Sequence, residues 1–540
     1  VTTDEPTPTV DEPTAGAATA PETAAPRPDR RARRLGRSLR IASGVLVLGL
    51  TAGAVAGASQ VGTAPPRPLP AADVEVAPTP VTLECPGPVQ LPQRSVRGDA
   101  AFDPAPVAPV VTVDAVTAAG PGAGALEVHA LGGGSVAEVA AGGRAVHLAD
   151  VAAPFVVRAQ PGDEAPVAAA TGASVVTDGD ARGLAAASCR APSSDDWLVG
   201  GATGVGSTAT LVLSNPGLTA AQVTLEVFGP NGPVEQTTAQ HVVGPGATRL
   251  VDLGGAAADQ AALVVHVGVT GGQVSARVQD TAVLGFTPAG TDLVVPGAAP
   301  ATRQVVTGVE TRASAVGAPD APVLRLLAPG DGDTTARVTL LGSDGPVALP
   351  GADEVPLTAG EVVDVPLGGL PAGSWTAVVD ADVPVVAAAV ASRTGTPGDL
   401  DDQPRVDRAW SASTPTDVHG VVALPRGIAA RLVVAAVGRD GDDRGEARAT
   451  LRAFDEGGRV LTEVPVSVDA GTTGSWDVAD VAATAVALEL EPREGSPLAW
   501  GVTLTDVQQD GELAAVLAPV PLSGQAGARD VREDPSAARG

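Results

Sequence analysis

The stretch Gln222–Val234, QVTLEVFGPNGPV, decides how this chain is read. Val223, Leu225 and Val227 alternate with Thr224 and Glu226, and a period of two marks a strand with one buried face. Asn231-Gly232 then ends the run; Asn-Gly tolerates the positive φ that a tight hairpin demands. A single hairpin is a local observation. It becomes a fold because the pattern returns.

ARVTLLG, with Val338 and Leu340 on one face, runs into the turn GSDGPV at Gly342. ARATLRAF, with Ala449, Leu451 and Ala453, runs into DEGGRV at Asp455. Anchors follow each strand: GATRLVDL from Gly246, GEVVDVPL from Gly360 and GTTGSWDV from Gly471, separated by 114 and 111 residues. Val223, Val338 and Ala449 stand 23, 22 and 22 residues before their anchors, so the register is held and the segments are repeats. Apolar strands precede each copy (TLVLSNPG from Thr210, VLRLLAPG from Val323, LVVAAVG from Leu432) and two more follow each anchor. Six or seven strands per copy of roughly 110 residues suit an immunoglobulin-like sandwich. Between Cys85 and Cys189, GGRAVHLADV, PFVVRA and PVAAAT give a weaker fourth match.

Composition agrees with an all-β fold. The chain has 66 Gly and 49 Pro in 540 residues, and both punctuate short strands and disfavour helix interiors. Aromatic residues are 2%, with no Tyr and no Met, so the core is built from Val, Leu and Ala. Net charge is −28; residues 1–60 hold seven Arg against six acids, leaving −29 for the rest. Such a surface repels nucleic acid and anionic headgroups, so no nucleic-acid partner is expected.

The basic cluster Arg27–Arg40 abuts the uncharged run Ile41–Val61, IASGVLVLGLTAGAVAGASQV, whose length as a helix reaches the ~30 Å of a hydrocarbon core. Positive-inside orientation keeps the Arg cluster cytoplasmic and places everything after Val61 outside. The alternative is secretion after signal cleavage near Ala58, at the A-x-A site Ala56-Gly57-Ala58. Gly49, Gly53 and Gly57 have the spacing of a helix-dimer face, but so Gly-rich a segment gives that spacing by chance, and self-association stays open. The sole cysteines, Cys85 and Cys189, are expected to pair in an oxidising compartment.

The expected organisation is a disordered cytoplasmic arm, basic at its end, at 1–40; a transmembrane signal anchor at 41–61; and a Pro-rich spacer at 62–82. A disulfide-closed β-rich domain follows at 83–190, then sandwich repeats at 191–298, 299–404 and 405–523 and a tail at 524–540.

The runs LECPGP, CRAPSSDDWLVGG from Cys189, VGSTATLVLSNPG and AQVTLEVFGPNGPV resemble a family of uncharacterised actinobacterial exported proteins, domain of unknown function 5719. The likeness is best over roughly Leu83 to Asp280. It implies an exported location in an actinobacterial envelope and brings no catalytic residue with it.

Signals for chemistry are weak. Gly204, Gly206 and Ala209 spell the G-x-G-x-x-A of a dinucleotide turn, but that motif needs a helix right after it, and TATLVLSNPG reads as a strand. No G-x-S-x-G elbow is present, and His129, His147, His241, His266 and His419 stand singly. The acidic loops Asp331-Gly-Asp333, Asp399-Leu-Asp401-Asp402 and Asp440-Gly-Asp442-Asp443 invite calcium but also make good turns. Trp197, Trp375, Trp476 and Trp500 sit in strand-like positions and are expected in the core. Trp410, in RAWSAST, is the expected exposed ligand contact.

The reading is a non-enzymatic, membrane-anchored envelope scaffold or interaction module without cofactor or metal. Its partners are the membrane through residues 41–61 and an envelope protein or glycan. A glycan-binding accessory of polysaccharide assembly is the alternative; a hydrolase with an unidentified carboxylate pair stands behind both.

Overall fold

The alternation that opened the sequence is realised residue by residue. In strand Ala221–Gly229, Val223, Leu225 and Val227 are buried while Gln222, Thr224 and Glu226 are exposed. The strand turns through Gly232, at φ +105°, to pair Gly229 with Gly232. The structure, a computed structural model, describes residues 46, 48–50, 72–93, 102–139, 142–236, 238–316, 318, 320–348, 351, 353–438, 445–522 and 527–531. It is all-β, with helical turns of a few residues only.

Between Asp195 and Val294 the strands are, in chain order, Asp195–Val199, Ser207–Ser214, Ala221–Gly229 with its partner Gly232–Val234, Gln240–Val243, Thr248–Asp252, Val264–Thr270, Ser275–Leu284 and Thr287–Val294. The first, sixth, third and fourth make one sheet; the fifth, second, seventh and eighth make the other. Their inner faces share one core, with Val223, Leu225 and Val265 from the first sheet meeting Leu211 and Val278 from the second. The same strand order holds from Val81 to Ser188, from Ala301 to Ala412 and from Gly420 to Leu517. In the third of these sandwiches the sixth and seventh strands are one continuous strand, Gly373–Pro397, passing from one sheet into the other. An immunoglobulin sandwich pairs its first two strands within one sheet; here those two strands lie in opposite sheets.

The weak fourth match is thus a full copy at the head of the series. Its third strand, Leu126–Ala130, is only five residues long, and a long connection separates its first strand, Val81–Cys85, from its second, Val110–Thr117. Both blur the spacing. Pro404–Ala412 also departs from the expected division, because it pairs with Gly373–Pro397 as the eighth strand of the third sandwich. Cys85 and Cys189 form a disulfide, 104 residues apart, linking the ends of the first and eighth strands of the first sandwich across its two sheets.

The sandwiches are not independent beads. The four eighth strands, Gly183–Ser188, Thr287–Val294, Pro404–Ala412 and Gly511–Leu517, adjoin one another in a closed cycle in which the fourth meets the first. Polar bonds, buried at three of the four junctions, reinforce each one. Glu84 pairs with Arg277 at 2.8 Å, the Arg325 guanidinium donates to the Gly201 carbonyl at 2.6 Å, Arg303 donates to the Val437 carbonyl at 2.7 Å, and the Thr171 hydroxyl donates to the Ala423 carbonyl at 2.7 Å.

Short strands also stand at Ala72–Val76 and Gly527–Val531, within the expected spacer and tail. Among the described residues no helix is long and apolar enough to cross a membrane. The expected anchor at 41–61 lies outside the described residues except for 46 and 48–50, which are helical.

Candidate functional site

The closed cycle has a polar heart. Asp280 and Asp292 lie directly opposite on paired strands, and Asp407 comes from the next eighth strand; all three are buried. Each carboxylate serves a neighbour. Asp407 Oδ2 accepts the Ala514 amide at 2.7 Å and the Leu184 amide at 3.4 Å, so one carboxylate of the third sandwich touches the fourth and the first. Asp292 Oδ2 accepts the Trp410 amide at 2.6 Å. Asp280 Oδ2 accepts the Trp410 indole N–H and an Arg408 N–H, both at 2.9 Å. The second oxygen of each has no hydrogen-bond partner among the described residues. Facing carboxylates out of water cannot all stay ionised. Burial, aided by the charges of Asp407 and Asp280, pushes Asp292 well above the ordinary carboxylate range. Burial likewise lifts Asp407 to about 7 against the pull of the Ala514 amide and the Arg182 charge.

Trp410 therefore does not reach the surface. It is 5% exposed, its indole is held by Asp280, and the Arg325 guanidinium stands 5.1 Å from its ring centroid. Its polar neighbours in RAWSAST misled the expectation of a loop: Ser411 donates to the Thr307 carbonyl inside the same interface.

At one end of the cycle, the turns joining each seventh strand to its eighth come together. The turns at 177–182, 285–286 and 398–403, with Phe102, Asp103 and Pro106 from the connection that leads into Val110–Thr117, line a cavity of about 460 Å³. Glycine lets the backbones close. A Cβ on Gly179 (φ +87°) would lie 2.4 Å from Pro106 Cδ, and one on Gly285 (φ +63°) 2.5 Å from an Asp401 oxygen. Arg405 ties the turns by pairing with Asp399 at 3.0 Å and with Asp510, from the fourth turn, at 3.5 Å. Arg182 donates twice to Asp510, at 2.8 and 2.9 Å.

Two side chains distinguish this cavity. Phe102 and Phe286 are 58% and 64% exposed and meet edge to face, with centroids 6.0 Å apart. Phe155, Phe228 and Phe454 are buried, as are Trp197, Trp375, Trp410 and Trp500, and Trp476 packs half-buried on the fourth core. The exposed rings of an aromatic-poor chain are thus gathered at one place. Asp401 fixes one of them, accepting the Phe286 amide at 2.8 Å and the Thr287 hydroxyl; those bonds hold its carboxyl below the ordinary range. Asp178 caps its own turn through the Gly179 amide. Asp180 lines the cavity without a side-chain partner among the described residues, and partial burial raises its carboxyl.

Other cavities are less suited to a ligand. One of about 700 Å³ between the third and fourth sandwiches has most of its charges engaged, Arg312 with Glu512 and Arg431 with Asp477, and its remaining carboxylate, Asp480, is exposed to water. At the opposite end of the cycle an apolar hollow of about 390 Å³ is rimmed by Pro296, Pro415 and Pro519.

The remaining sequence candidates scatter. Ser207–Ser214 follows the Gly204-Val-Gly206 turn as a strand. His147 bonds Asp114, His419 bonds Glu489, and His266 lies between Glu226 and Asp195 while stacking on Trp197. His241 meets Arg249, and His129 sits on Leu126–Ala130. No two histidines are brought together in these bonds. Asp333 caps a turn through the Ala359 amide, and the loop Asp440–Asp443 lies outside the described residues. Among the described residues there is no cluster of three or more metal-ligating side chains.

Residues 145–479 match a protein family described as a family of unknown function, DUF5719. No curated protein and no solved structure matches the chain.

Proposed function

The chain belongs to DUF5719, a family of unknown function, and we propose that it is a non-catalytic interaction module of the cell envelope that binds through the cavity at the turn end of the cycle, its tip face. The observation that carries this reading is the exposed Phe102–Phe286 pair over that cavity, in a chain whose other aromatic rings are buried or half-buried. An exposed aromatic pair costs solvation unless something covers it. The sandwiches are immunoglobulin-like in their two-sheet build, and their role is to hold the four turns in one place.

The anchor at 41–61 tethers the module to the membrane, with the acidic bulk of the chain on the extracytoplasmic side. A reporter fused after Gly62 that is active only in the cytoplasm would overturn that placement. For the binding role, cross-linking of the full chain in its native envelope, followed by pull-down, is expected to recover a partner that a Phe102→Ala/Phe286→Ala variant loses. Recovery unchanged in the variant would sink the tip face as the binding surface. Envelope glycan is the second reading, since phenyl rings also stack on sugars; loss of retention on isolated envelope polysaccharide in the same variant would favour it.

A further inference from the structure

We propose that the tip-face cavity recognises an organic cation on an apolar stem, the chemistry of a lysine or arginine side chain or of a free polyamine, with Phe102 and Phe286 covering the stem and Asp180 receiving the charge. This rests on reading the cavity as a binding site and adds what it selects.

Three observations point the same way. First, the rings offer apolar area and π faces in water: Phe102, Phe286 and the neighbouring Leu400 are all exposed. A cation within about 6 Å of such a face gains roughly 0.5–2 kcal/mol. Second, Arg405, the positive group that lines the cavity among the described residues, is already committed. Arg405 is engaged by Asp399, by Asp510 and by the Pro397 carbonyl, so it is not free to receive an anion. Third, Asp180 is partly withdrawn from water and its carboxylate has no partner among the described residues. A carboxylate in that state gains most from an incoming donor with positive charge, and Asp178 on the same turn adds to the field. A neutral sugar would cover the rings but leave Asp180 uncompensated. An anion would meet Asp178, Asp180 and Asp399 together. The net charge of −28 steers cations toward the molecule without selecting a site; the phenyl pair makes this face selective.

The test is calorimetric titration of the full chain in detergent with a Leu-Arg-Leu-Lys-Leu peptide, with spermidine and with a Leu-Ser-Leu-Ser-Leu peptide, each at low and moderate salt. Saturable binding of the basic peptide, at least 10-fold weaker in Phe286→Ala and in Asp180→Asn and unchanged in Asp331→Asn, is the expected result. The same pattern with spermidine alone also supports the proposal and identifies the source as a free polyamine. No saturable cation binding overturns it, as does binding that both cavity variants leave intact. If envelope glycan is retained through Phe102 and Phe286 but insensitive to Asp180→Asn, the cation reading falls while the binding role of the face stands.

Discussion

Asp407 makes the stability of this fold depend on pH in the sense opposite to that of most carboxylates. Its folded-state value near 7 lies above the 3.8 of an unfolded chain, so the folded protein holds a proton that the unfolded chain has released. Stability from that proton is complete below about pH 4, is lost as pH rises through 7, and is flat above. At 1.36 kcal/mol per unit, about three units give at most ~4 kcal/mol across that window. Asp407→Asn removes the titration while keeping an oxygen for the Ala514 and Leu184 amides. The new NH₂ falls where the unpartnered Oδ1 now lies, at a fixed cost of about 1–3 kcal/mol. That cost does not vary with pH. Urea unfolding followed by tryptophan fluorescence at pH 4.5, 6 and 8 should therefore show the variant gaining on the wild type by up to ~3 kcal/mol between the first and last conditions, since part of the window lies below pH 4.5, crossing from less to more stable. A stability difference independent of pH would refute the account of a proton held at the centre of the cycle.

Other perturbations have definite signs. Replacing both Cys85 and Cys189 with Ser should cost up to about 4–5 kcal/mol in a chemical denaturation series, the scale for a loop of about 100 residues; free thiols in the unreduced, denatured wild type would contradict the pairing. Glu84→Ala leaves the Arg277 guanidinium buried without its 2.8 Å partner and should cost about 3–5 kcal/mol, whereas Glu84→Met with Arg277→Met should be near neutral or better. If the single and double variants prove equally unstable, the pair is not what joins the first sandwich to the second. Gly183→Ala would set a Cβ 2.5 Å from the Thr291 carbonyl oxygen and should lower stability by about 1–3 kcal/mol through overpacking. Gly204→Ala meets nothing nearer than 4.0 Å, so an equal loss there would rule out close approach as the cause.

What could be read from the chain was whatever repeats locally. Val223, Leu225 and Val227 announce their strand because one face is wet, and the same holds for Ala449, Leu451 and Ala453. The eighth strands carry no such signature. GLAAAS is buried at every position from Gly183 to Ser188, and TPAGTDLV likewise from Thr287 to Val294. A strand covered on both faces loses its period of two. Its polar residues then look like loop chemistry, which is how Asp292 and Asp407 escaped notice and why Trp410 was expected at the surface. The tip face was half legible. The scarcity of aromatics made each one informative, but Phe102 and Phe286 are far apart in sequence and share no motif. Asp399-Leu-Asp401-Asp402 was visible as an acidic loop, yet its work, holding the Phe286 amide, depends on a neighbouring sandwich.

The cavity and the cycle are therefore one construction. Asp180 comes from the first sandwich, Phe286 from the second and Asp399 from the third, while Asp510 of the fourth reaches Arg405 and Arg182. Four sandwiches strung as independent beads would bring no two of these turns to the same place. Closure alone assembles them, and it requires backbones to meet where Gly183 faces Thr291 and where Gly290 faces Arg408. Inward-facing carbonyls and amides at such junctions need partners, and the buried carboxylates supply acceptors to three amides from neighbouring strands. The proton on Asp407 follows from that geometry: a carboxylate placed to accept from two other sandwiches sits too deep to stay charged at low cost. Its position two residues from Arg405 along the same strand then puts the group that sets the pH dependence of closure next to the group that ties the turns together.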